Sequence, residues 1–190
     1  MKKQDIKWNF SASDIASTWN PGMHDIHGLG FEWGHITAKS RLASWMPVQE
    51  LISIKGRNKL LIAVSDVDTP INIKTGLREE DATFACEIEF FTIPTSPRKE
   101  YTATVRFDMR DIPYYDSIYD TTAWWENECG YKSAYVPESA KMPMDSLWYS
   151  FHQMLDADAI VEECRLSKPL GMDTVIIDDG WQTEDNNRGY

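Results

Sequence analysis

One change of hydrophobic period, near residue 140, constrains the fold of this 190-residue chain more than any other feature of its sequence. Before it, apolar and polar residues alternate. Tyr101, Ala103, Val105, Phe107 and Met109 interleave with Thr102, Thr104, Arg106 and Asp108. That is the period-two signature of a strand with one buried and one wet face. Cys86, Ile88 and Phe90 interleave with Glu87 and Glu89 in the same way, and the loop Pro94-Thr95-Ser96-Pro97 lies between these two strands. Leu60-Leu61-Ile62-Ala63-Val64 and Ile71-Asn72-Ile73 are further strand candidates, separated by the turn-forming stretch from Asp66 to Pro70. Short strands divided by turn signals predict an antiparallel sandwich, in which two packed sheets hide their apolar faces.

After residue 140 the pattern is different. Val136 to Pro143 carries two prolines and no periodicity, so residues 136–146 read as a linker between a sandwich domain, 1–135, and a second region, 147–190. Leu147-Trp148-Tyr149-Ser150-Phe151-His152 reads as a short aromatic strand. A helix is expected from about Asp156, with Leu155, Ala159, Ile160 and Cys164 at helical spacing and with Pro169 and Gly171 ending it. Thr174-Val175-Ile176-Ile177 is uniformly apolar and β-branched, the pattern of a strand covered on both faces. Strand, helix and strand in this order form a βαβ unit with parallel strands. One such unit cannot bury both faces of its own strands, and 190 residues cannot hold a complete (β/α)8 barrel of about 250 residues beside a sandwich. The expected architecture is therefore an N-terminal all-β sandwich followed by the first βαβ unit of an incomplete barrel.

Charge narrows the partners. The chain has 19 basic and 30 acidic residues, a net charge of −11. That field repels phosphate backbones, and no Lys/Arg stripe offsets it, so nucleic acid is not an expected partner. Nothing approaches the roughly 20 apolar residues of a membrane span, and the N-terminus has no apolar run of the kind a secretory signal needs. Cys86, Cys129 and Cys164 are odd in number, widely separated and outside any CxxC pair. They predict a reduced, cytoplasmic protein without a disulfide framework or zinc site, and no cofactor is expected.

The stretch with most chemistry is Asp178-Asp179-Gly180-Trp181, directly after the run that ends at Ile177. In parallel α/β folds ligands bind beyond the carboxyl ends of the strands. Two adjacent carboxylates there can accept hydrogen bonds from several hydroxyls of one sugar. Gly180 permits a sharp turn, and Trp181 offers an apolar plate to the C–H face of a sugar ring. Two other readings stand beside this one: the aspartates cap the amides of a following helix, or they hold a Mg²⁺ ion, which the adjacent Trp181 does not favour.

The run from Gly171 to Trp181 resembles the second barrel strand of clan D glycoside hydrolases, especially family 36 α-galactosidases. Leu147 to Gln153 is similar to that family's first barrel strand, and Trp124-Trp125-Glu126 to its domain junction. These motifs cover about residues 120–185. The resemblance implies an N-terminal β-supersandwich, a retaining α-galactosidase activity and an α-galactoside as partner. It implies that Asp178 and Asp179 hold hydroxyls of the terminal galactose and that Trp181 lines the pocket, with Trp148 and His152 as further candidates near the first strand's end. The family's nucleophile and acid/base are aspartates on barrel strands four and six. This sequence ends at Tyr190, after strand two, so no catalytic residue is assigned and the chain alone is expected to be inactive. Sandwich domains of the family take part in assembly, which makes a homo-oligomer compatible with the resemblance.

Other motifs have simpler readings. His24-Asp25-Ile26-His27 lacks a third metal ligand of clear spacing and reads as loop. Trp124-Trp125 is either a sugar platform or packing at a domain junction, and composition favours packing. Cys164 faces the helix's buried side without a partnering His, and Glu162 and Glu163 form a solvated face. The rival to the glycosidase reading is a non-catalytic carbohydrate-binding or assembly module that uses the sandwich surface.

Overall fold

A computed structural model of the chain describes residues 3–23 and 28–182. The chain divides into two compact units, Met1–Ser133 and Ala134–Tyr190. The first consists mainly of antiparallel sheet. Its strands are β1 (Gln4–Ser11), β2 (Ser17–Trp19), β3 (Ile36–Ser40), β4 (Val48–Ile52), β5 (Asn58–Val64), β6 (Ile71–Arg78), β7 (Thr83–Phe90) and β8 (Val105–Asp108), and helix α1 (Tyr114–Asn127) comes after them. They form two four-stranded sheets, ordered β1-β7-β6-β3 and β2-β4-β5-β8.

Alternation explains how the sheets meet. On β7, Phe84, Cys86, Ile88 and Phe90 point inward; on β6, Ile71 and Ile73 do the same. They share one buried cluster with Leu51 of β4 and with Leu60, Ile62 and Val64 of β5, so residues from both sheets close a common core. This two-layer arrangement is compatible with a β-sandwich. Gln49 of β4 ties the layers together. Its Oε1 accepts the Ala38 N–H at 3.0 Å, and its Nε2 donates to Thr75 Oγ1 at 2.7 Å and to Thr18 Oγ1 at 3.2 Å.

Strand β5 is apolar on both faces because both are covered. Leu61 and Ala63 point away from the first core into a second cluster with Val48, Val67, Trp124 and Trp125. Helix α1 supplies that cover, and Trp125 Nε1 donates to Val64 O at 2.8 Å. The helix was not legible as such, because its buried positions, Ser117, Thr121, Trp124 and Trp125, recur at helical spacing but include two hydroxyl residues. A search for aliphatic periodicity misses such a face.

The strand expected over 101–109 is shorter in the structure. Only Val105–Asp108 pair, with β5, while Tyr101 and Ala103 pack partly against the first core without a ladder. Phe107 and Met109, expected inside, are 47% and 64% exposed. β8 is an edge strand, so part of its apolar face lies at the rim, where Phe107 meets Trp8 edge-on at 5.2 Å.

The second unit holds β9 (Met144–Ser146), α2 (Trp148–Phe151), α3 (Ala157–Ser167) and β10 (Thr174–Ile176). β9 and β10 are parallel, in the register Met144↔Thr174 to Ser146↔Ile176, and α3 lies between them in sequence. Asp156 caps α3 by accepting the Ala159 N–H at 2.9 Å. Gly171, at φ 88°, comes after the 3-10 turn Lys168–Leu170 that ends it. Two details differ from expectation. β9 lies inside residues 136–146, expected as linker, and the aromatic run after it is helical. Phe151 N–H donates to Leu147 O at 2.8 Å and His152 N–H to Trp148 O at 2.9 Å. Leu147, Trp148 and Phe151 share one helical face while Tyr149 and Ser150 are exposed, so the period there is helical despite the aromatic composition.

Candidate functional site

Parallel pairing sets the site. Because β9 and β10 run in the same direction, their carboxyl ends, Ser146 and Ile176, are neighbours. The ladder continues one residue further, where Leu147 N–H donates to Ile176 O at 3.2 Å, and Leu147 is fully buried. The segments leaving the two strands therefore emerge at one end of the pair. After β9 come α2 and Gln153; after β10 come Ile177 and the turn Asp178-Asp179-Gly180-Trp181.

Gly180 brings these two exits together. Its φ is 106°, and a Cβ placed on it would stand 2.6 Å from both the Cα and the carbonyl oxygen of Gln153. Both facts exclude other residues: an L side chain rarely adopts that φ, and no side chain fits against a backbone so close. The glycine thus seats the turn on the chain that leaves the first strand.

Local hydrogen bonds shape the turn. Asp178 Oδ1 accepts the Asp179 N–H at 2.8 Å. Gln182 clips the turn from the other side, its Oε1 accepting the Gly180 N–H at 2.7 Å and its Nε2 donating to Asp179 Oδ1 at 3.1 Å. Gln182 orients Asp179, a role that no sequence motif announced. Among the described residues, neither carboxylate accepts an amide of a following helix; residues 183–190, where such a helix would begin, lie outside them. Asp178 is exposed, Asp179 half-buried and Trp181 70% exposed. The arrangement offers carboxylate acceptors and an aromatic plate from one short turn. Two acids on one turn do not flank a glycosidic bond from opposite sides, so the geometry suits binding rather than double-displacement hydrolysis.

The remaining candidates divide between the surroundings of this turn and the core. Trp148 and His152 stand next to the turn's packing partner, with their rings 5.3 Å apart and edge-on; His152 has a φ of 51°. Trp124 and Trp125 are 9% and 4% exposed and belong to the second core cluster, so packing, not a sugar platform, is their role. His24 to His27 lie outside the described residues. The three cysteines are free. Burial pushes the Cys86 thiol up to about 12, which leaves it inert near neutrality, and Cys164 is half-buried. No helix among the described residues is long and apolar enough to cross a membrane.

No protein-family model, curated protein or solved structure matches the chain.

Proposed function

We propose that residues 134–190 are the opening βαβ unit of a (β/α)8 barrel, and that the chain is the N-terminal portion of a retaining α-galactosidase-like glycoside hydrolase of the cytoplasm. In this reading Asp178 and Asp179 accept hydrogen bonds from hydroxyls of a terminal galactose, and Trp181 covers the C–H face of the ring. The observation that carries it is the Asp-Asp-Gly-Trp turn just beyond the carboxyl end of a parallel strand, seated through Gly180 on the exit of the neighbouring strand. Ligands collect at that position in parallel α/β folds. In this reading the catalytic acid pair sits on later strands of the barrel and the Asp178 turn holds the substrate.

The test begins with the intact mass of the native protein. A mass several times the 21.9 kDa of this sequence is expected. In that protein Asp178→Asn should lower kcat/KM for an aryl α-galactoside roughly 10–100-fold, the effect of losing one charge-assisted hydrogen bond. Its stability should change by less than about 0.5 kcal/mol, as for an exposed side chain. A native mass near 21.9 kDa removes the hydrolase reading and leaves a non-catalytic carbohydrate-binding module. Unfolding of the Asp178→Asn variant instead of lost binding would give the aspartate a structural role.

A further inference from the structure

The outer face of the sheet β1-β7-β6-β3 carries a depression that the turn at Asp178 does not involve. Its origin is a missing side chain. Gly76 of β6 pairs with Ala85 of β7, so two small residues adjoin on this face. The 3-10 turn Glu32–Gly34 crosses over Gly76 so closely that a Cβ there would stand 2.6 Å from Glu32 Cα and 2.8 Å from Phe31 O. The crossing raises one wall above the small floor and β1 forms the other. Between them lies a cavity of about 320 Å³ whose polar lining is Lys7, Asn9, Glu32, His35, Arg78 and Glu87. A second cavity of about 210 Å³ shares Glu32 and is bordered by Phe31 and Trp33.

Three features point to a ligand. The charges in the first cavity balance, with Lys7 and Arg78 against Glu32 and Glu87. An anion would meet two carboxylates and a cation would meet two cations, while an apolar guest would strip water from six polar groups without replacing their hydrogen bonds. Arg78 Nε is buried without a hydrogen-bond partner; Asp81 and Glu32 approach it only to 3.4 and 3.7 Å. A buried donor of this kind is costly unless an acceptor arrives. Next to the polar cavity, Phe31 and Trp33 stack with ring centroids 5.5 Å apart and planes 12° from parallel, and Trp33 is 86% exposed. A neutral ligand with many hydroxyls and apolar ring faces meets all three conditions.

We infer that this groove binds a neutral oligosaccharide, with one sugar ring among Arg78, Glu32, His35 and Asn9 and the next against Trp33. The site lies wholly within the first unit and does not depend on the galactose-holding role proposed for Asp178.

Saturation-transfer NMR and titration calorimetry on the whole chain test it, with a neutral α-galactosyl trisaccharide and a β-1,4-linked glucose trisaccharide as probes and inorganic sulfate as the charged control. At least one trisaccharide should bind. Trp33→Ala and Arg78→Gln should each weaken that binding by about tenfold or more, the usual effect of removing an aromatic or charged anchor, and Tyr119→Ala, at an aromatic residue of α1 that is 76% exposed and lines neither site, should leave it unchanged. The inference is overturned by the absence of saturation transfer to either sugar, by binding indifferent to both groove variants, or by sulfate displacing the sugar. Loss of binding in Asp178→Asn alone would also overturn it, while supporting the galactose-holding role of the turn.

Discussion

Strands β5 and β10 both run into unbroken aliphatic stretches, yet Leu60 to Val64 are at most 1% exposed, whereas Ile176 at the end of β10 and Ile177 directly after it are 41% and 51% exposed. The difference lies in what covers them. β5 pairs with β4 and β8, faces the opposite sheet on one side and packs under α1 on the other. β10 pairs with β9, and Leu147 is the one fully buried aliphatic side chain of its unit among the described residues. An unbroken aliphatic run is a request for cover on both faces; the first unit answers it internally and the second does not. The first unit therefore holds a closed core, and the second leaves part of its apolar strand exposed.

Truncating the two strands should break the symmetry of their sequences. Ile62→Ala should destabilise the chain by about 2–5 kcal/mol, the range for removing a fully buried aliphatic side chain and leaving a cavity, as read from a denaturant midpoint. A loss below about 1 kcal/mol would mean that the first core tolerates collapse at β5.

The cover over β5 also has a polar weak point. Glu50 of β4 is fully buried beneath α1. Burial drives its carboxyl up to about 8 from an ordinary 4.5; Ser117 Oγ, donating at 2.5 Å, opposes the shift, and the nearby charge of Asp108 adds to it. The folded chain therefore keeps a proton there that the unfolded chain has lost between about pH 4.5 and 8. Stability must fall as pH rises through that window. Glu50→Gln should match the parent near pH 4 and exceed it by roughly 2–4 kcal/mol at pH 8. Parallel stability curves for the two proteins would show that Glu50 is solvated in the folded state. Glu89 works in the opposite sense. Burial raises its carboxyl, but hydrogen bonds from Lys3, Lys74 and Asn72 outweigh that and hold it at about 2, so its contribution is present above about pH 4.5 and is lost as pH falls toward 2.

The smallest effect belongs to the second unit. Ile176→Ala should cost less than about 1 kcal/mol, because a side chain already 41% exposed loses little burial. Hydrogen exchange should agree, with the amides of 174–176 exchanging far faster than those of 60–64. Equal protection in the two strands would mean that β10 is covered as fully as β5.

Several elements were legible in the residues because their causes are local. The alternation of Cys86, Ile88 and Phe90 with Glu87 and Glu89 specifies a strand and its two faces wherever that strand is placed. Asp156, Pro169 and Gly171 bound α3 through capping and backbone preferences that act within a few residues. The position of Asp178 and Asp179 after a β-branched run already placed them at a strand's carboxyl end.

Other features needed the tertiary structure because their causes are distant in sequence. Nothing near Ser117 marks it as part of a buried helix face; its reason is Glu50, 67 residues away, to which its hydroxyl donates. Gln49 looks like any polar strand residue until Ala38 and Thr75 of the opposite sheet meet it. Gly76 reads as a weak point in a strand, and only the crossing of Phe31 and Glu32 explains it. Short-range periodicity and backbone preference marked β5, β6, β7, α3 and β10. The pairing of the sheets, the protonation of Glu50 and the groove beside Trp33 arose only when residues remote in sequence were packed together and water was excluded between them.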